Sequence, residues 1–244
     1  MKILVTGATG GCGRLIVRRL GQLDYPVRAL TRKASRADFG RGVEVVEGNA
    51  LVPEDCSRAV AGCDAVISTM GERRVPADGR IVDGAGTRHL IAAAEAAGVQ
   101  RFVLISSLGV ADSWVWLPAP VKLFFKVIGA KPILRAKADA ETAVRASRLQ
   151  GTILRPGGLL NARMRAAPLL VRPEVRVPGF TTRQAVADVA VRCLRSHNAA
   201  GQTLTVVNGG LRRWMRGVEP VELAEPWVAW EEREPDVGPH PKAI

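Results

Sequence analysis

The chain alternates short, mainly apolar segments with longer segments in which apolar residues recur every three or four positions. The short segments have the length of buried strands, and the clearest are residues 3–5, 27–30, 43–46, 65–68, 102–105 and 204–207. Leu15, Ile16 and Leu20 have the spacing of one helix face, and residues 83–97 form a longer, alanine-rich helical segment. Strand and helix therefore alternate, which predicts an α/β protein with a Rossmann-type, doubly wound, mainly parallel sheet and helices on both faces.

Three glycines lie between the first predicted strand and the first predicted helix, spaced Gly-x-x-Gly-x-x-Gly. Glycine lets the backbone turn sharply and approach a pyrophosphate closely, and the helix that follows offers unpaired N–H groups and the positive end of its dipole. We therefore predict a dinucleotide-binding turn. Its candidate cofactor-binding residues are Gly7, Thr9, Gly10, Gly11, Cys12 and Gly13.

The end of the second predicted strand is basic. Thr31, Arg32 and Lys33 stand where NAD-binding proteins place a carboxylate on the adenosine ribose, and Arg36 is near in sequence. A guanidinium binds a 2′-phosphate by charge-assisted hydrogen bonds, whereas a carboxylate would repel it. The sequence thus favours NADP(H) over NAD(H), with Arg32 and Lys33 as candidate contacts; the other interpretation is a solvated basic loop.

Other strand ends supply further candidates, because cofactors bind at the carboxyl ends of such strands. We expect Asn49 and Ala50 near the adenine. The residues expected beside the adenosine ribose and pyrophosphate are Thr69, Met70 and Gly71. Ser106 and Ser107 follow the fifth strand and could face a substrate, although strand-end capping would explain them equally well.

The glycine spacing resembles that of the extended and atypical short-chain dehydrogenases/reductases. Residues 86–91 and 97–107 resemble a helix and strand of the atypical members, and residues 182–190 resemble their last helix. Lys137 to Glu141, followed by residues 151–157, is similar to a signature of the NmrA-like and biliverdin-reductase-B-like (flavin-reductase-like) branches. The second branch fits better, because it also carries an apolar helix near residues 117–128.

This resemblance covers residues 1–210 and implies roles for two more residues. Lys137 would contact the nicotinamide ribose, and Pro156 would help to shape the nicotinamide pocket. The sequence departs from the superfamily at its Tyr-x-x-x-Lys motif, since Ile133 stands four residues before Lys137 and the single tyrosine is Tyr25. Reduction of an ordinary ketone by the tyrosine mechanism is therefore not expected.

Two functions are consistent with the absence of the tyrosine of the Tyr-x-x-x-Lys motif. In the first, NADPH reduces a small planar acceptor such as a flavin or quinone, and Ser107 or Ser106 is the candidate catalytic group that supplies a proton. In the second, which the NmrA-like resemblance implies, the protein binds NADP(H) without turnover and reports the redox ratio to a partner.

We expect a single Rossmann domain at residues 1–210, with a substrate region at about 110–135 and 156–183, and a C-terminal extension at 211–244. In the extension, Trp214, Trp227 and Trp230 suggest a homodimer or protein-partner surface, or an arm folded back over its own domain. The apolar residues of segment 117–128 could cover a planar substrate, or simply belong to the core or a dimer contact.

Charge and cysteine content add little. The net charge of +12 comes from 35 Lys and Arg residues spread along the chain, so we expect no specific nucleic-acid partner. With neither a leader nor a long apolar run, we expect a cytoplasmic protein without a membrane partner.

The four cysteines have no metal-ligand spacing, so no metal is predicted. Cys12 lies at a helix N-terminus, where the dipole could favour a reactive thiolate.

Overall fold

The computed structural model describes residues 1–34, 39–40, 42–72, 74–163, 166–177, 179–210 and 218–227. The strands are β1 (Ile3–Thr6), β2 (Val27–Thr31), β3 (Val43–Glu47), β4 (Ala65–Ser68), β5 (Arg101–Ile105), β6 (Gln150–Pro156), β7 (Gly158–Leu160), β8 (Leu169–Val171), β9 (Phe180–Thr182) and β10 (Thr203–Val207). The helices are α1 (Gly11–Gln22), α2 (Pro53–Val60), α3 (Val82–Ala96), α4 (Ala119–Val127), α5 (Lys131–Ala146) and α6 (Arg183–Cys193), with 3-10 turns at Ala111–Trp116 and His197–Ala199.

Eight strands form one sheet in the order β3-β2-β1-β4-β5-β6-β10-β8. Neighbouring strands are parallel except β8, which runs antiparallel to β10. The chain order reverses between β1 and β4, and such a switch point opens a crevice at the carboxyl ends of the strands. The predicted fold class, a doubly wound and mainly parallel α/β sheet, is confirmed.

Alternate residues of β1 supply two different cores, because successive strand side chains point to opposite faces of the sheet. Ile3 and Val5 pack with residues of α1 and α6. Leu4 packs on the other face with residues of α2, α3 and α5. Strands β1 and β4 are buried along their whole length, which explains why they do not alternate with polar residues, whereas β3 at the sheet edge is only partly buried.

A buried ion pair joins α1 to α6 across the first core. Arg19 Nη2 lies 3.2 Å from Asp188 Oδ1, and Arg192 Nη1 lies 3.5 Å from Asp188 Oδ2. Burial raises the pKa of the Asp188 carboxyl, although the two arginines oppose the change. The pair fixes the helix that follows β9 against the helix that follows the glycine turn.

Two features were not predicted. Strands β7 and β9 form a separate parallel pair beyond the end of β6, and β8 closes the sheet edge beside β10. A Cβ at Gly157 would overlap the carbonyl of Gly179, so the backbones of these two loops pass too closely for a side chain. Each of these strands has only three residues, too few to show a period.

Helix α4 has no buried residue, so its apolar side chains do not belong to the core.

The described part of the extension, by contrast, packs on its own domain: Leu223 is buried, and the Arg192 guanidinium donates to the carbonyl of Glu225 at 2.7 Å. Trp214 and Trp230 lie outside the described residues. Within the described part of the chain, no helix has both the length and the apolar character needed to cross a membrane.

Candidate functional site

The glycine turn joins the ends of β1 and β4. Gly7 has a φ of +70°, and a Cβ there would lie 2.7 Å from the backbone carbonyl of Thr69. The Thr69 hydroxyl donates to the carbonyl of Gly7 at 3.1 Å, and the Thr69 N–H donates to Thr6 at 3.0 Å. A Cβ at Gly13 would overlap the Gly7 carbonyl. Gly7 is therefore required by the close approach of the two strand ends, and Gly13 by the close approach of α1 to the backbone of the turn.

Helix α1 begins at Gly11 with no side-chain cap and no acidic residue in its first turn. Thr9, Gly10 and Gly11 are exposed, so the N-terminal amides of the helix open onto the crevice at the switch point. Exposed glycine backbone at an uncapped helix N-terminus fits a dinucleotide pyrophosphate. This turn is the part of the predicted site that the fold arranges most completely.

Cys12 does not have the thiolate character suggested by its sequence position. Burial raises the pKa of its thiol to about 11, and the nearby charge of Arg183 offsets only part of that effect. Loss of hydration outweighs the favourable end of the helix dipole, so the thiol is protonated at neutral pH. Cys12 therefore serves as a small side chain beside the turn and not as a reactive group.

The expected adenine edge is tightly packed. Ala50 and Met70 are buried, and a Cβ at Gly86 of α3 would lie 3.2 Å from Ala50 Cβ. His89 Nδ1 lies 3.0 Å from the carbonyl oxygen of Ala50. The Asn49 side-chain oxygen accepts the N–H of Leu51 at 3.0 Å, which fixes the turn after β3. His89 thus supports the loop that carries Asn49 and Ala50.

Arg32 and Lys33 are exposed at the carboxyl end of β2, and Arg36 lies outside the described residues. The neighbouring strand brings a carboxylate to the same place: Glu47 Oε2 accepts the N–H of Ala34 at 2.9 Å. Sequence reasoning found no carboxylate at the end of β2, because Glu47 is remote in sequence and comes near only through the pairing of β2 with β3.

The side chain of Lys137, on α5, reaches the loop that follows β4. Its Nζ lies 2.6 Å from Asp83 Oδ1 and would lie 3.5 Å from a Cβ at Gly71. Asp83 is buried, and its other oxygen accepts the N–H of Glu72 at 3.0 Å. Asp83, which the sequence did not single out, therefore holds the Lys137 ammonium beside the loop that follows β4.

Ser106 belongs to a buried polar network at the ends of β5 and β6. Its hydroxyl donates to Glu141 Oε1 at 2.6 Å, and Arg155 Nη2 lies 2.6 Å from Glu141 Oε2. Arg155 also donates to the exposed carboxylate of Asp112 at 2.8 Å. Burial alone would lower the pKa of Arg155, but its bonds with Glu141 and Asp112 outweigh burial and raise it, and the bond with Arg155 lowers the pKa of Asp112.

Ser107 has a different environment. It is half-buried, and its hydroxyl donates to the backbone carbonyl of the next residue, Leu108, at 3.0 Å. The Ser106 proton is committed to a buried carboxylate, whereas Ser107 can exchange its partner for a bound molecule. Of the two predicted catalytic serines, the geometry favours Ser107.

Pro156 is buried at the end of β6, where its carbonyl accepts the N–H of Leu108 at 2.8 Å.

Ile133, four residues before Lys137, is buried in the first turn of α5. Tyr25 precedes β2 and contacts Arg195, so it lies at the amino edge of the sheet. The glycine turn, Ser107 and Lys137 lie at the opposite edge. Tyr25 therefore cannot reach the place where those residues meet.

Arg183, the first residue of α6, is a further candidate that sequence reasoning missed. Its Cδ would lie 2.9 Å from a Cβ at Gly11, and its guanidinium donates to Asn161 at 2.5 Å. The side chain thus places a cation next to the expected pyrophosphate. Nothing in the local sequence marks it, because β9 and α6 bring it to the turn from far along the chain.

A separate cavity of about 530 Å³ lies between α3 and α5. The charged side chains that line it are Arg80, Arg88, Lys131, Arg135 and Asp139. None of the four cations makes an ion pair with a described residue, so this groove is strongly electropositive.

The described residues contain no group of three or more His, Cys, Asp or Glu side chains that could hold a metal ion.

Comparison with known proteins gives the family of this fold. The model of a family described as NAD(P)H-binding matches residues 7–197, which include the glycine turn and all the strand ends described above. The chain belongs to this family. Its expected relationship to the atypical short-chain dehydrogenases/reductases and NmrA-like proteins is confirmed.

Three similar proteins carry different descriptions. The chain is 32% identical over 219 residues to the uncharacterized sugar epimerase YhfK of Bacillus subtilis, covering 86% of this chain and 95% of YhfK. It is 32% identical over 236 residues to the photosystem II assembly factor Ycf39 of Synechocystis, covering 92% and 67%. The solved structure of ChuY, an anaerobillin reductase from Escherichia coli O157:H7, has a TM-score of 0.74 at 28% identity and covers 86% and 98%.

Proposed function

We propose that this protein is an NADPH-dependent reductase that acts on a flavin, a quinone or another planar conjugated acceptor. One observation carries the proposal: the position of the superfamily tyrosine holds a buried isoleucine, Ile133. A simple carbonyl substrate needs a strong proton donor there. A conjugated ring spreads the negative charge that it gains with a hydride, so a weaker donor or solvent suffices.

NADPH, when bound, supplies the hydride, and the protein supplies binding and orientation. The α1 N-terminus and Arg183 would bind the pyrophosphate, and Lys137, held by Asp83, would bind the nicotinamide ribose. The Ser107 hydroxyl is the candidate that donates a proton to the reduced acceptor. The choice of NADPH over NADH rests on Arg32 and Lys33, which are exposed at the end of β2.

Similar proteins support this class of reaction. ChuY is described as a reductase, and the similarity covers 98% of the ChuY chain. A small-molecule acceptor would bind near Ser107 at the carboxyl ends of β5 and β6. A cytoplasmic location is part of this proposal.

A second function is favoured by a different similarity. Ycf39 is described as an assembly factor, and it matches more of this chain than the reductase does. On that basis the protein would bind NADP(H) and act through a partner protein, or a second copy, at the C-terminal extension 211–244. The missing tyrosine suits a protein without turnover equally well.

One experiment distinguishes the two functions. The purified protein is mixed with NADPH under anaerobic conditions, flavin mononucleotide or a water-soluble quinone is added, and NADPH fluorescence is followed with NADH as the comparison. The matched control is Gly11→Asp. An aspartate suits the first turn of a helix, and only the flexible Arg183 side chain must move, but the new carboxylate would repel a pyrophosphate.

Acceptor-dependent loss of the NADPH signal with the natural protein, and not with Gly11→Asp, is the result expected of the reductase. Tight binding of NADPH without turnover of either acceptor would favour the second function. Failure to bind either nucleotide would overturn both.

A further inference from the structure

Helix α4 presents an apolar stripe to solvent. Leu123 is 61% exposed, Phe124 58% and Val127 76%, and with Pro120 they have the i, i+3, i+4, i+7 spacing of a single helix face. Ile128, which is 51% exposed, extends the stripe at the end of the helix. Apolar groups at this spacing normally face a core, whereas here they face outward.

The stripe lies on the side of α4 that is turned away from the protein. Phe125 and Val121 are only partly exposed, and the Phe125 ring packs 6.2 Å from the ring of Trp114 in the preceding 3-10 turn. At 3.6 residues per turn, Leu123 and Val127 lie on nearly the opposite side from Phe125 and Val121. Among the described residues the stripe is largely uncovered, with the Phe124 ring 6.0 Å from the ring of Phe125, and its exposure could not be read from the sequence.

Positive charge accompanies the stripe, although Lys137 is paired with Asp83, and the nearest carboxylates in sequence are Asp112 and Asp139. Residues 113–138 contain Lys122, Lys126, Lys131, Arg135 and Lys137 and not one Asp or Glu. Lys126 lies next to Leu123 around the helix and flanks the stripe, whereas Lys122 lies nearer to Phe125, with its Nζ 3.2 Å from the carbonyl oxygen of Val115. Lys131 begins α5 three residues after Ile128, and it also lines the electropositive groove between α3 and α5.

These features select one occupant among those that could cover an apolar helix. A second copy packed by two-fold symmetry would bring the lysines of both α4 helices together with no carboxylate between them. A planar acceptor beneath α4 would meet the partly buried side of the helix rather than the outward stripe. An anionic lipid surface complements both the apolar stripe and its lysine edge.

We propose that α4 is a peripheral docking surface for anionic membranes. The stripe enters the boundary between headgroups and acyl chains, the lysines contact lipid phosphates, and the groove cations extend the contact. No helix spans the bilayer in this arrangement. The proposal departs from the sequence-based expectation of no membrane partner, and it is independent of the reductase activity.

Vesicle co-sedimentation tests the proposal with the full chain. Vesicles of phosphatidylcholine alone are compared with vesicles that also contain phosphatidylglycerol, at low and high salt. The natural protein should bind the anionic vesicles, and salt should weaken that binding. Replacing Leu123, Phe124 and Val127 together with serine should lower the partition coefficient about tenfold or more. The variant should keep its unfolding temperature and NADPH affinity, since the three side chains are exposed.

Two controls make the result specific. Leu23→Ser removes an exposed leucine at the amino edge of the sheet and should leave vesicle binding unchanged. Lys122→Glu with Lys126→Glu should abolish the preference for anionic vesicles. Equal binding of the natural protein and the serine variant would overturn the proposal, because only general surface charge would then be acting. It would also fail if the serine variant merely lost a dimer, or merely raised the acceptor KM, while neither form bound vesicles.

Discussion

Arg155 Nη2 lies 2.6 Å from Glu141 Oε2, and both side chains are fully buried. Because a buried charge is tolerated only with its partner, we predict that Glu141→Gln lowers the free energy of unfolding by about 3 kcal/mol. The variant leaves the buried Arg155 cation with only the exposed Asp112 as counter-charge and weakens the hydrogen bond from Ser106. Urea unfolding at neutral pH measures the difference.

The matched control for this variant is Asp112→Asn. Asp112 contacts the same guanidinium at 2.8 Å, but 65% of its side chain is exposed. Solvent screens such a pair, so its loss should cost at most about 1 kcal/mol. Equal destabilisation by the two substitutions would contradict the view that the buried Glu141 carries the network.

Adjacent serines should respond differently to the loss of a hydroxyl. Ser107→Ala should lower kcat with a reducible acceptor about tenfold and change the unfolding temperature little, because this half-buried hydroxyl bonds only the adjacent Leu108 carbonyl and can turn to the acceptor. Ser106→Ala should instead lower stability by about 1.5–3 kcal/mol, because it removes a hydrogen bond to a buried carboxylate. Steady-state kinetics and thermal unfolding of both variants separate the roles. An unchanged kcat in Ser107→Ala would remove that serine from the mechanism.

Asp83 should act on cofactor binding through Lys137, whose ammonium lies 2.6 Å from its carboxylate. In Asp83→Asn the amide can still accept the Glu72 N–H, but it no longer holds the cation beside the end of β4. We expect the Kd for NADPH to rise about three- to tenfold, measured by fluorescence titration. Asp139→Asn, which changes an exposed carboxylate on α5 two residues from Lys137, should leave the Kd unchanged. If both variants bind NADPH equally well, Asp83 does not position Lys137.

The strands could be predicted because burial on both faces leaves a direct record in the sequence. The apolar segment 3–5 became β1 (Ile3–Thr6), and 65–68 became β4 (Ala65–Ser68). The glycine turn was predictable for a similar reason, since the close approach of Gly7 to Thr69 excludes a side chain. Local patterns of this kind determined the fold class and the position of the crevice.

Contacts between distant segments could not be predicted in the same way. Glu47 reaches Ala34 through the pairing of β2 with β3, and Arg183 reaches Gly11 only after β9 and α6 have packed. The two adjacent serines are equivalent in sequence, but only Ser106 points into the buried network. The exposure of α4 was also invisible, because an amphipathic pattern does not say whether its apolar face meets a core or solvent.

The alkylation rate of Cys12 should be low at neutral pH and should increase as the pH rises. Since burial raises the pKa of its thiol to about 11, the thiolate fraction should rise roughly tenfold per pH unit below that value. We expect iodoacetamide alkylation to accelerate in this way between about pH 7 and pH 9 without a plateau, and NADPH to slow it by covering the turn. Cys12→Ser should remove most of the alkylation of the folded protein, because the other three cysteines are buried. A plateau near neutral pH would show a thiolate stabilised by the helix dipole.

The choice between NADPH and NADH should depend on two opposite charges at the ends of β2 and β3. Arg32→Asp should weaken NADPH binding about tenfold to a hundredfold and NADH binding much less, because only NADPH carries the 2′-phosphate. Glu47, whose carboxylate accepts the Ala34 N–H at 2.9 Å, should oppose the phosphate, so Glu47→Gln should tighten NADPH binding about threefold. Glu54→Gln makes the same charge change at an exposed position of α2 and should alter neither affinity. Fluorescence titrations of all three variants with both nucleotides test these expectations. An equal loss of NADPH and NADH affinity in Arg32→Asp would mean that Arg32 does not bind the 2′-phosphate.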